Sequence, residues 1–248
     1  SNIMARINLH KQYSVNKQGW FPWIYEQMQI KAGQKILELG CGAGDIWVEN
    51  AERLPADVSI TVTDISDGML RDARREISRE DAVFSYTICG CEEIPFADAS
   101  FDLVIANHVL FYCEDIEKAC REIRRVLKPG GMLVAGTYGS AHMKEISQLV
   151  SEFDNRIILA AENLYDRFGK ENGEEILSEV FRDISWEQYE DAIEINDAEP
   201  LISYVLSCHG NQNQYIAHKY KEFRTFMKKK TVGGFHITKD AGIFVAKK

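Results

Sequence analysis

Ile36-Leu37-Glu38-Leu39-Gly40-Cys41-Gly42-Ala43-Gly44 reads as the end of a short buried strand, Lys35–Leu39, running straight into a glycine-rich turn. A helix follows, roughly Asp45–Leu54, and Pro55 stops it. Val58–Thr63 alternates and is β-branched, so it is a second strand, and it ends at Asp64. Glycines let the backbone turn tightly and let a ligand approach without a Cβ in the way. In open α/β sheets ligands sit at the carboxyl ends of strands, where an acid such as Asp64 can accept both hydroxyls of a ribose.

Outward from this stretch the alternation continues. Ser66 reads as an N-cap for a helix to about Arg79, with a third strand near Val83–Ile88 and a fourth at Phe101–Ala106. A helix over about Asp115–Leu127 keeps Ile116, Ala119, Cys120, Ile123, Val126 and Leu127 on one face. Lys128-Pro129-Gly130-Gly131 turns the chain into a fifth strand, Met132–Tyr138. Strand and helix alternating over residues 35–138 call for a parallel, Rossmann-like doubly wound α/β sheet. Beyond Tyr138 the pattern changes. Residues 142–182 read as one or two helices, Ile184–Ile195 as a strand, 199–230 as helical, and Phe235–Lys247 as a strand broken at Asp240-Ala241-Gly242. No linker interrupts the chain, so residues 1–248 read as a single domain. Its cofactor-binding core covers about 30–140, helical cap and substrate segments cover about 1–29, 141–182 and 196–232, and terminal strands cover about 184–195 and 235–247.

Composition narrows the function. Twenty-nine Lys and Arg against 38 Asp and Glu leave a net charge of −9, which argues against nucleic acid as the partner. The first 30 residues are dotted with charge and no apolar run is long enough for a membrane span, so the expected location is cytoplasmic. The six cysteines form no Cys-x-x-Cys, and no His-Glu-x-x-His occurs, so no metal site is expected and the thiols read as free.

Two ligand classes share a glycine loop followed by an acid. The dinucleotide fingerprint Gly-x-Gly-x-x-Gly, counted from Gly40, needs a third glycine where Asp45 stands. An acid in the first helical turn also repels a pyrophosphate from the helix N-terminus. Both facts favour a ligand without phosphate over NAD(P).

At this point the chain resembles the class I S-adenosylmethionine-dependent methyltransferases, in particular their ubiquinone/menaquinone-biosynthesis-like small-molecule branch. Four blocks carry the resemblance in order: Ile36–Gly44, Thr63-Asp64-Ile65-Ser66-Asp67-Gly68-Met69-Leu70, Ile94–Val104, and Leu127-Lys128-Pro129-Gly130-Gly131. It implies a seven-stranded sheet whose last strand is antiparallel, S-adenosyl-L-methionine as cofactor, S-adenosyl-L-homocysteine as its product, and a small-molecule methyl acceptor. It also implies roles. Glu38 and the Gly40, Cys41, Gly42 and Gly44 backbone hold the methionine part, and Asp64 takes the ribose hydroxyls. Ile65 and Met69 pack on the adenine faces, and Cys91 and Glu92 meet the adenine edge. Asn107 and His108 lie under the reactive methyl, and Tyr13 closes over the cofactor. The family usually has Asp where this chain has Cys91, and a thiol is a weak partner for the adenine amino group.

Methyl transfer is an in-line displacement in which the protein supplies positioning, and a base where the nucleophile holds its proton firmly. His108 is the candidate base, and a histidine packed near Phe111 and Tyr112 is the equally weighted alternative. Tyr112 and Tyr138 are second-rank site residues. Trp20, Phe21 and Trp23 either anchor the first helix or line an apolar pocket, and His142, His209 and His218 read as surface residues. Three functions stay open: methyl transfer, a non-catalytic S-adenosylmethionine-binding protein, and an NAD(P)-dependent oxidoreductase.

Overall fold

The computed structural model describes residues 2–79 and 82–248. In chain order the elements are α1 (Asn2–Tyr13), α2 (Trp20–Met28), β1 (Lys35–Leu39), α3 (Asp45–Asn50), β2 (Ser59–Asp64), α4 (Asp67–Ile77), β3 (Phe84–Ile88), β4 (Phe101–Asn107), α5 (Ile116–Val126) and β5 (Leu127–Tyr138). They continue with α6 (Lys144–Phe153), α7 (Leu164–Arg167), α8 (Gly173–Ser178), β6 (Arg182–Ile195), α9 (Ala198–Leu206), α10 (Gln212–Ile216), α11 (Tyr220–Thr231) and β7 (Phe235–Lys247).

The strands form one seven-stranded sheet of order β3-β2-β1-β4-β5-β7-β6. Strands β1 to β5 pair in parallel, and β7 runs antiparallel to β5. The expected α/β class and antiparallel last strand are both found. Because side chains alternate across a strand, the sheet feeds two cores. Leu37, Leu39, Val104, Ala106, Leu133 and Ala135 face α5, whose Ala119, Cys120, Ile123 and Val126 they bury. Ile36, Leu103, Ile105 and Val134 face the other way, onto Ile24 and Met28 of α2, Trp47 of α3 and Leu70 and Ala73 of α4. The strand order reverses between β1 and β4. Such a switch point opens a crevice at the strands' carboxyl ends.

The chain divides into two compact units. One takes Gln18–Gly139, Leu164–Tyr189 and Ala241–Lys248, and holds both cores above. The other takes Ser1–Lys17, Ser140–Asn163 and Glu190–Asp240. Its own core gathers Leu9, Ile146, Leu149, Leu201, Val205, Phe223 and Met227. Within it Lys239 Nζ meets the buried Asp191 carboxylate at 2.7 Å, and the Asp240 N–H donates to His142 Nδ1 at 3.0 Å. His142, read from sequence as a surface residue, is thus tied to β7.

Several element boundaries differ from the sequence reading. Residues 142–182 hold three helices, not one or two, because the chain turns at Gly169. A Cβ there would stand 2.3 Å from Tyr165 O, and Asn172 Oδ1 accepts the Gly169 N–H at 2.7 Å. The stretch 199–230 is likewise interrupted, as α9, α10 and α11. β7 runs unbroken through Asp240-Ala241-Gly242. Gly242 is a close approach rather than a stop, since a Cβ would meet Glu187 O at 2.3 Å and the Trp186 ring at 2.5 Å.

Candidate functional site

The turn after β1 is built from backbone. The Cys41 N–H donates to Thr63 O at 2.9 Å and the Gly44 N–H to Cys41 O at 3.0 Å. Gly40 (φ 65°) and Gly42 (φ 55°) both take the left-handed conformation that glycine tolerates without a Cβ penalty. Their surroundings differ. A Cβ on Gly40 would stand 2.5 Å from Val109, so the end of β1 closes on the segment after β4. A Cβ on Gly42 would meet nothing within 4 Å, so the turn faces open space there. Gly44 starts α3 against Ala73 and Ile77 of α4.

Asp64 reaches back to this turn. Its Oδ2 accepts the Gly42 N–H at 3.0 Å and its Oδ1 accepts the Ser66 N–H at 2.9 Å. Ser66 caps α4 through its hydroxyl, which accepts the Met69 N–H at 3.3 Å. Each carboxylate oxygen keeps a lone pair beyond the bond it accepts. Ile65, beside it, is 79 % exposed, and the place of a Cβ on Gly90 lies 3.8 Å from its Cδ1.

Glu38 lies in β1, two residues before Gly40. It is buried, and its Oε2 accepts the Trp47 indole N–H at 2.6 Å. Burial pushes its carboxyl up to about 8, with the neighbouring Asp45 and Asp64 adding to the rise. Trp47 was not singled out from sequence, although its place on α3 just after the turn is a usable signal. Cys41 is also buried, and its thiol lies above the ordinary range for the same reason, burial first.

A tight turn closed by a Gly90–Glu93 bridge follows β3. It carries Cys91 and Glu92. The Cys91 thiol is buried among the residues packed on the α5 side of the sheet. Glu92 Oε1 accepts the Asp115 N–H.

The end of β4 is walled by rings. His108 sits in the left-handed conformation (φ 55°), its N–H donating to Gly136 O at 3.0 Å. Its imidazole stacks on Tyr138 with centroids 4.4 Å apart and lies 5.0 Å from Trp20. Trp20 in turn meets Trp23 at 5.2 Å and Tyr189 at 5.5 Å. The Trp20 indole N–H donates to Asn107 Oδ1 at 3.2 Å. Gly136 leaves room for this pair, since a Cβ would stand 2.4 Å from Asn107 Oδ1. Burial lowers His108 to about 3, so the imidazole is neutral at ordinary pH, and its buried Nδ1 has no hydrogen-bond partner. Tyr189, more than 80 residues from His108 in sequence, joins this wall with no local signal to announce it.

Gly40 to Gly44, Asp64, Ile65, Met69, Cys91, Glu92, Asn107 and His108 all belong to the first unit, while Tyr13 ends α1 in the second. Among the described residues no group of three or more His, Cys, Asp or Glu could hold a metal ion, and no helix is long and apolar enough to cross a membrane.

A family model for a methyltransferase domain matches residues 37–135, from the middle of β1 to β5. Among curated proteins, the chain is 35 % identical over 136 residues to the ubiquinone/menaquinone biosynthesis C-methyltransferase UbiE of Xanthomonas oryzae pv. oryzae, covering 54 % of this chain and 51 % of that protein. It is 33 % identical over 125 residues to the malonyl-[acyl-carrier protein] O-methyltransferase of Enterobacter lignolyticus, covering 49 % and 46 %. The chain therefore spans about half the length of the curated relatives it matches. Among solved structures, the YcgJ protein of Bacillus subtilis superposes with a TM-score of 0.62 at 16 % identity, over 92 % of this chain and 97 % of that one, which is a likeness of fold. Residues 37–135, which hold the glycine turn, Asp64 and the end of β4, are thus the part of the chain that is similar to the methyltransferase-domain family.

Proposed function

We propose that this chain transfers a methyl group from S-adenosylmethionine to a small-molecule acceptor. The observation that carries the reading is the pairing of an open Gly42 with an Asp64 carboxylate that braces it from β2. The residues fit the cofactor. Gly42 presents backbone to open space, and Asp64 keeps a lone pair on each oxygen for two ribose hydroxyls. Exposed Ile65 offers an apolar face for a purine. The Cys91 thiol is buried, so at the adenine edge the chain would use its backbone at the 90–93 turn and the Glu92 side chain.

When bound, the cofactor supplies a methyl group on a positively charged sulfur. The chain supplies position and polarity. Asn107 ends β4 and His108 follows it, beside the β1/β4 switch point. Neutral His108 would accept a hydrogen bond, or an acidic proton, from the acceptor once its ring turns the orphan Nδ1 toward it. The faces of Trp20 and Tyr138 suit a flat or partly apolar acceptor, and π-faces also favour a nearby cation. The relatives' names cover carbon and oxygen acceptors, so the acceptor atom is a matter for this chain's own wall.

Asp45 opens α3 where a dinucleotide would place its pyrophosphate, which favours this reading over an oxidoreductase. Calorimetric titration with S-adenosylmethionine, S-adenosylhomocysteine and NADH tests it. Micromolar binding of the first two and none of NADH is expected. Binding of NADH alone would overturn the reading. Cofactor binding without turnover across a broad acceptor panel would favour a non-catalytic binding protein.

A further inference from the structure

Two tryptophans each donate an indole hydrogen bond, from different surroundings. Trp47 is fully buried, and its N–H goes to buried Glu38. Trp20 is only partly buried, and its N–H goes to Asn107, the last residue of β4. Trp20 is also the first residue of α2. Gly19 before it has φ 88° and offers no side chain to cap the helix, so the chain is held in a helical turn on one side of Trp20 only.

Other elements build the place that its ring fills. Asn107 ends β4, His108 follows it, and Gly136 comes from β5, Trp23 from α2 and Tyr189 from β6. Gly136 makes the room, since a Cβ there would stand 2.4 Å from Asn107 Oδ1 and 3.2 Å from Trp20 Cζ2. His108 lies along the indole at 5.0 Å with 31° between the planes, Trp23 lies 5.2 Å away, and Tyr189 meets it edge-on at 5.5 Å. Such a seat holds a flat ring by its neighbours and one donor by an amide oxygen, at the carboxyl end of β4.

We propose that this seat is the acceptor subsite, that Trp20 occupies it as an internal stand-in, and that the acceptor is a flat aromatic molecule with an O–H or N–H donor that displaces the indole. That the incoming ring accepts a methyl group rests on the methyltransferase reading above. That the seat takes such rings does not.

The balance between the two occupants follows from what each one satisfies. A ligand shifts such an equilibrium only by what it gains over the group it displaces. One aromatic ring replaces another in the seat, so the stacking terms largely cancel and polar groups decide. The indole gives its single N–H to Asn107, and the buried His108 Nδ1 beside it stays without a partner. An incoming ring with two donors can meet both groups, which the indole cannot. A flat ring with no donor leaves the Asn107 oxygen unmet, and an orphaned acceptor costs free energy. An aliphatic acceptor forgoes the stacking on His108 and Trp23.

The test uses the whole chain carrying 5-fluorotryptophan, with the Trp20 fluorine signal assigned through Trp20→Phe. The probes are catechol with two donors, phenol with one, and anisole with none. Catechol should move the Trp20 signal toward that of the free amino acid and leave the Trp47 signal in place, which also shows that the fold is intact. Affinity should fall from catechol to phenol to anisole by about two- to tenfold at each step, as for one neutral hydrogen bond. Trp20→Ala, with the seat vacated, should bind catechol at least about tenfold more tightly than the unsubstituted chain, and Asn107→Leu added to it should remove the preference for phenol over anisole. A Trp20 signal that stays in place while Trp20→Ala binds the probes marks a core ring above an engineered cavity and overturns the proposal. Equal affinity for phenol and anisole overturns the donor requirement. Probe binding as expected in a chain that binds no S-adenosylmethionine keeps the seat and defeats its assignment to a methyl acceptor. If Trp20→Ala does not fold, the fluorine titration of the unsubstituted chain decides alone.

Discussion

The two sides of the crevice at the β1/β4 switch point are made differently. On the β1–β2 side the parts are backbone groups and one carboxylate, all within Gly40–Met69, with Asp64 accepting two N–H groups and Ser66 a third. On the β4–β5 side the parts are rings from Trp20, His108, Tyr138 and Tyr189, and the imidazole Nδ1 is left without a partner. Buried polar groups are almost always paired, and an orphan one costs free energy. On the proposed function, the contrast teaches that a fixed ligand is met by a site stabilised in its absence. The side proposed for the variable reactant keeps an unmet polar atom on a positive-φ residue.

The largest expected effect tests the first side. Asp64→Ala removes the acceptor of the Gly42 and Ser66 N–H groups and the partner proposed for the ribose. Affinity for S-adenosylmethionine should fall about 10–100-fold, as for a lost charge-assisted pair. Calorimetry on a variant whose near-ultraviolet circular dichroism matches the unsubstituted chain checks it. Unchanged affinity would mean that the two sides have been assigned to the wrong ligands.

Glu38→Gln asks whether that side also carries a stored cost. Burial raises the Glu38 carboxyl from 4.5 to about 8, so between those values the folded chain holds a proton that the unfolded chain has released. The folded state therefore binds more protons there, and stability falls as pH rises through this window. Gln has no proton to gain or lose, and its amide oxygen can still accept from Trp47. The variant should match the unsubstituted chain near pH 4.5 and pull ahead by about 1–2 kcal/mol at pH 8.5, of the order expected for a desolvated carboxyl. Urea denaturation at the two pH values reads this. Parallel pH curves for the two chains would show that Glu38 is not protonated in the fold.

How much of each side was legible in sequence follows from how it is built. Gly40-Cys41-Gly42-Ala43-Gly44 and Asp64 announce themselves because turn chemistry and strand ends are local, and their 20-residue spacing is that of one strand–helix–strand unit. The parallel doubly wound sheet was legible too, since β1 to β5 alternate with helices, whereas its strand order comes from the structure alone. The ring wall was only half visible. Tyr138 ends β5 and His108 follows β4, so both read as site residues, whereas Trp20 reads mainly as core, because nothing in α2 says that its indole N–H will meet Asn107, 87 residues on. Tyr189 sits mid-strand in β6 and gives no signal at all. The burial of Cys91 is equally hidden, because nothing local to the 90–93 turn says that its thiol packs into the core on the α5 side.

The finest test of the contrast is Trp20→Phe, which keeps a ring and removes one donor. The Asn107 Oδ1 acceptor, partly buried, loses its partner at 3.2 Å, a cost of about 0.5–1.5 kcal/mol for a neutral hydrogen bond. If the wall serves the acceptor alone, this loss should surface as a two- to tenfold change in acceptor KM, with cofactor affinity held within about twofold. On the proposed function, the energy would be lost beside the acceptor, at Asn107. The Gly42–Asp64 brace, which shares no hydrogen bond with Trp20, is left intact. A parallel fall in cofactor affinity would instead show that Asn107 and the glycine turn act as one body, through the close approach of Val109 to Gly40. In that case the two sides of the crevice would be coupled rather than merely adjacent.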